Sequence, residues 1–140
     1  MATGHDIVDT ARGWIGTPFH HQGRKPGVGL DCVGLLVCAA RAHGLKVSDS
    51  TAYGRRPRPG VLLGYLRENC IEVPVEVARE TVGAVLLFHF ISKAWPQHAA
   101  IVTDRGILHA YGDVGRVVEH PLSDELASAM HSGWTFKGIA

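Results

Sequence analysis

The chain has 140 residues, 46% of them hydrophobic and 19% charged, with a formal net charge of +1. That length suits one domain with its own core, residues 1 to 140, and leaves little room for a second. The near-neutral balance offers no electrostatic footprint for nucleic acid or an anionic membrane, and no apolar run is long enough to span a bilayer.

In chain order, Ile7, Val8, Ala11, Trp14 and Ile15 recur at helical spacing, which predicts a helix over residues 5 to 15 behind Thr3 as cap. Gly16-Thr17-Pro18 stops it, and the glycine- and proline-rich stretch to residue 30 reads as an ordered loop. From Cys32 the run CVGLLVCAARAHG is helical and ends at Gly44 as a C′ glycine. It is apolar nearly all round, as a helix sunk in a core must be. Residues 47 to 60 are polar and turn-rich, and their basic cluster Arg55-Arg56-Pro57-Arg58-Pro59 reads as an extended surface loop. Residues 61 to 70 return to a helical pattern.

After Pro74 strands are expected at residues 84 to 90, 98 to 103, 107 to 111 and 116 to 120, with turns at Asp104-Arg105-Gly106 and at residues 112 to 115. A short helix capped by Ser123 follows over residues 123 to 130, and a closing strand over residues 134 to 139. Helices first and a mostly antiparallel meander after them make an α+β pattern.

Three cysteines are sparse and odd in number, which argues against a disulfide framework and for synthesis in a reducing compartment. The N-terminal MATGHDIVDTARGW has neither a basic nor an apolar leader region, so no secretory signal is expected. Cys38 and Cys70 read as packed thiols. Cys32 differs, because at a helix N-terminus free N–H groups and the macrodipole favour a thiolate and can hold an oxyanion. A Cys32–Cys38 disulfide is geometrically poor: six helical residues rise about 9 Å, beyond the roughly 7 Å limit between Cα atoms. His20, His21 and Cys32 lack a fourth ligand at suitable spacing, so neither metal nor other cofactor is expected.

A nucleophilic thiol needs a base, and the base needs an orienting group. Among nine histidines, His5, His43, His120 and His131 lie at element ends and read as solvated, while His89 reads as a hydrogen-bonded core or sheet-face residue. His98 and His109 stand on consecutive strands joined by a tight turn. Any antiparallel register whose paired positions sum to an odd number puts both on one face, with Cβ atoms about 5 to 8 Å apart. One imidazole could then take the thiol proton while the other holds it in orientation; structural histidines are the competing reading.

The segments GWIGTPFHHQG, GVGLDCVGLL, QHAAIVT and LHAYG, in this order and nearly spanning the chain, resemble the NlpC-type family of papain-like cell-wall peptidases. Within it the chain looks most like the subgroup carried by phage tails and gene transfer agents. The resemblance implies a papain-like fold and cleavage of peptidoglycan stem peptides, typically between D-glutamate and a diamino acid, through a thioester on Cys32. It implies His98 as base, His109 as the third residue, and Asp31 as a residue that helps to place substrate. Phe19 stands where the family usually has a tyrosine whose hydroxyl helps hold the oxyanion. That task would pass to the Cys32 amide and helix start, or to His20 or His21. Val33 replaces a common serine. The resemblance also implies tail-tip or hub proteins as partners and carriage in a tail-like particle to the wall of a target cell. Two alternatives remain open: an inactive structural tail component, and a papain-like acyltransferase.

Overall fold

The computed structural model describes all 140 residues. Thr3 opens α1 (Gly4–Arg12) with a reciprocal cap: its hydroxyl accepts from the Asp6 amide, and the Asp6 carboxylate accepts from the Thr3 amide. The helix ends three residues earlier than the periodicity suggests, because the chain turns at Gly13 and leaves Ile15 about half exposed. Arg12 anchors this end through a forked ion pair with Glu119 and a contact with Asp104.

The loop that follows holds two short strands, β1 (Arg24–Lys25) and β2 (Gly29–Leu30), paired with each other. Asp31 then caps α2 (Cys32–Ala42) by accepting from the Gly34 amide at 2.8 Å. Gly34 is required there by space: a Cβ would lie 1.9 Å from the Gly23 carbonyl oxygen. Gly44, at φ +74°, takes the left-handed turn that ends the helix. Helix α3 (Val61–Asn69) leads directly into β3 (Cys70–Val73), where the sequence pattern suggested only a helix end. A further short helix, α4 (Val75–Ala78), was also not expected.

The remaining strands are β4 (Val85–Phe88), β5 (His98–Thr103), β6 (Gly106–Tyr111), β7 (Arg116–His120) and β8 (Met130–Phe136), with α5 (Asp124–Ser128) before the last. They form a six-stranded antiparallel sheet in the order β3-β8-β4-β5-β6-β7. The meander β4 to β7 is as expected. Strand β8 starts four residues earlier than expected and inserts between β3 and β4.

Each sheet face carries its own apolar layer. Val85, Leu87, Ala99, Ile101, Leu108 and Ala110 pack under α1 and α2. Leu86, Phe88, Ala100, Val102 and Ile107 point the other way, towards Ala78 of α4 and Leu126 of α5. With two-residue alternation, His98 of β5 and His109 of β6 continue this second face.

Candidate functional site

Helix α2 brings Cys32 to the mouth of a cleft of about 440 Å³ that Phe19, His21, Asp31, Tyr53 and Gln97 help to line. His20 does not line it: its ring bonds the His21 carbonyl through Nδ1 and packs over Gly29. Its neighbour His21 is the histidine of this loop that lines the cleft. The basic loop forms part of the same cleft through Arg55, Arg56 and Arg58.

Asp31 lies at the cleft but is already engaged. Its Oδ1 accepts from Gly34 N and from Arg24 Nη1 at 3.0 Å, and its Oδ2 from Gln22 N at 2.9 Å and from the Tyr53 hydroxyl. A substrate group can reach this carboxylate only by displacing one of these donors. Arg24 also forks onto Asp49 and lies under the Tyr53 ring, so it ties the 47–53 loop to the helix cap. Neither Arg24 nor Tyr53 was singled out from the sequence, because their partners are remote in the chain.

The Cys32 thiol departs from the expected thiolate. Its pKa is pushed up to about 12, first by burial and then by the Asp31 carboxylate, against the helix-start and Ala99 backbone amides and Arg24. Some of the residue's surface still faces the cleft, but dense packing around the sulfur outweighs the helix-end field.

The β5–β6 register pairs Ile101 with Leu108 and Val102 with Ile107, an odd sum, so His98 and His109 share a face. They sit diagonally, and His98 Nε2 is 2.7 Å from His109 Nδ1. His109 is fully buried, and His98 is 8% exposed. Phe90 stacks on His98, and Tyr111 stacks on His109 at 4.9 Å. Burial, and then the neighbouring imidazole, pushes the His98 pKa down to about 3 and that of His109 to about 4.

The Cys32 sulfur lies against the backbone of Ala99, next to His98 in β5, and is not hydrogen-bonded to the His98 ring. His120, read from the sequence as a solvated strand-end residue, is instead partly buried, with Nε2 2.8 Å from His109 Nε2. The available signal was spacing: residues 98, 109 and 120 follow one another at equal intervals across two tight antiparallel connections. The three rings are strung nitrogen to nitrogen, so their lone pairs do not converge on one point as metal ligands would.

The fold defined by these elements is the α+β, papain-like fold of NlpC/p60 domains. A solved Staphylococcus aureus protein described as similar to lipoprotein, of the NLP/p60 family, superposes with a TM-score of 0.67 at 21% identity over 98% of this chain. The chain spans 41% of that protein's length. The NlpC/p60 domain of the peptidoglycan hydrolase SagA gives 0.68 at 20% identity, covering 96% of this chain and all of that one. RipD from Mycobacterium tuberculosis, described as a non-catalytic NlpC/p60 domain adapted to peptidoglycan binding, gives 0.61 at 18% identity, covering 96% of each chain. No protein-family model and no curated protein matches the sequence.

Proposed function

We propose that the protein is a cysteine peptidase that cleaves peptidoglycan stem peptides, with Cys32 as nucleophile, His98 as base and His109 as the group that orients it. The observation that carries this reading is the 2.7 Å His98–His109 pair beside the residue whose backbone meets the Cys32 sulfur. With both thiol and imidazole buried, the resting pair is neutral, S–H and bare nitrogen. The proton then moves from sulfur to His98 as sulfur attacks the carbonyl carbon. The attack requires Cys32 and His98 to close to hydrogen-bond distance when substrate seats in the cleft. The amide of Cys32, at the start of α2, faces the developing oxyanion in place of the hydroxyl that Phe19 lacks. His98 next protonates the leaving amine, and water attacks the thioester with His98 again as base.

The scissile bond in this reading is that between D-glutamate and a diamino acid. Arg55, Arg56 and Arg58 on the cleft wall suit the carboxylates of such a peptide. Delivery by a tail-like particle, with tail-tip or hub proteins as docking partners, follows from the sequence resemblance.

A second reading, peptidoglycan binding without cleavage, is favoured by the raised thiol pKa and by Phe19. Incubation with muropeptides, followed by mass spectrometry and a binding measurement, separates the two. The peptidase reading expects new stem fragments from the parent and none from Cys32→Ala, with binding kept in both. Fragments from Cys32→Ala refute Cys32 as nucleophile, and binding without fragments from the parent supports the second reading.

A further inference from the structure

The histidine chain does not stop at His109. His120 Nδ1 lies 2.9 Å from the carbonyl oxygen of Pro121, while its Nε2 meets His109 Nε2. A carbonyl oxygen only accepts, so in neutral His120 the proton sits on Nδ1 and Nε2 is a bare acceptor. His109 must then carry its proton on Nε2 to donate to His120, which leaves its Nδ1 bare. His98 in turn must carry its proton on Nε2 to donate to His109 Nδ1. What remains is the Nδ1 lone pair of His98. That atom has no hydrogen-bond partner in the protein. Since no buried side-chain nitrogen or oxygen lacks a partner, His98 Nδ1 is open to the outside.

We propose that His120 is a positioning residue: the Pro121 carbonyl, acting through His120 and His109, fixes the His98 tautomer whose free Nδ1 can receive the Cys32 proton. The reverse polarity would set the lone pair of His120 Nδ1 against that of the Pro121 oxygen and would place a hydrogen on His98 Nδ1, where the thiol needs an acceptor. Burial of His98 and His109 as neutral rings supports the assignment, because a charged ring would donate from both nitrogens. The tautomer assignment is drawn from the hydrogen-bond geometry and is independent of the peptidase reading; its consequence for catalysis rests on that reading.

Long-range nitrogen–proton NMR of 15N-histidine-labelled protein at pH 8 tests the chain directly, together with His120→Leu and His120→Gln. In the parent, His98 and His109 are expected as Nε2–H tautomers and His120 as Nδ1–H. His120→Leu removes the acceptor, so His109 and His98 become tautomer mixtures. Alkylation of Cys32 by iodoacetamide then slows about ten-fold, the factor set by one hydrogen bond near 1.4 kcal/mol. His120→Gln offers an amide oxygen to His109 Nε2–H and is expected to restore the parent tautomers and most of the alkylation rate. An Nδ1–H tautomer of His98 in the parent overturns the proposal, as do unchanged tautomers in His120→Leu. So does a glutamine variant that behaves as the leucine one, since a packing role does not distinguish the parent's acceptor from none. Parent tautomers as assigned, in a protein that cleaves no muropeptide, uphold the tautomer chain and refute the peptidase reading.

Discussion

Burying two neutral histidines makes the fold sensitive to mild acid, well before its carboxylates titrate. His98 and His109 have folded-state pKa values of about 3 and about 4, against an unfolded value near 6.5. Between these values the unfolded chain binds more protons than the folded one, so stability falls as pH falls. Lowering the pH from 7 to 5 charges both rings in the unfolded chain and neither in the folded one. That costs about 2 kcal/mol per ring, about 4 kcal/mol together. Against a total stability of roughly 5–15 kcal/mol this is a large fraction. For a chain of this length it lowers Tm by about 10–15 °C, readable by calorimetry at matched ionic strength. In His98→Gln/His109→Gln, whose side chains do not titrate, the drop should shrink to a few degrees. A parent Tm that moves by less than about 3 °C between pH 7 and 5, or a double variant with the full parental drop, refutes the burial argument.

Two further outcomes follow from the helix cap. Arg24→Met strips Asp31 and Asp49 of their shared cation in a half-buried setting and should cost about 3–5 kcal/mol in urea unfolding; a loss below about 1 kcal/mol would show that Tyr53 and the amides suffice. Gly34→Ala would gain about 1 kcal/mol in an ordinary helix. Here the new Cβ meets the Gly23 oxygen, so destabilisation by about 1–3 kcal/mol or more is expected, and a stabilised variant would contradict the close approach.

Local features were legible in the sequence because their causes are local. Thr3 and Ser123 cap the helices they were expected to cap, and Gly44 ends α2. The limits of β5 and β7 follow from strand-forming runs bounded by turns, and the parity argument identified the register in which His98 and His109 share a face. That parity is a property of the chain, whereas the register itself comes from the packed sheet.

What needed the tertiary structure is whatever depends on partners remote in sequence. Strand β3 is four residues long with an exposed Ile71, and only its pairing with β8 makes it a strand. The insertion of β8 between β3 and β4 is likewise non-local. Asp31 looks in sequence like a free carboxylate before a thiol, but Arg24 and Tyr53 fill its acceptor sites. The sequence places Cys32 at a helix N-terminus, which alone would lower its pKa; only the packed fold shows that desolvation of the sulfur outweighs that field. His120 joins the histidine chain for the same reason: the face a strand-end side chain shares is decided by the register across two hairpins, which composition and periodicity do not encode.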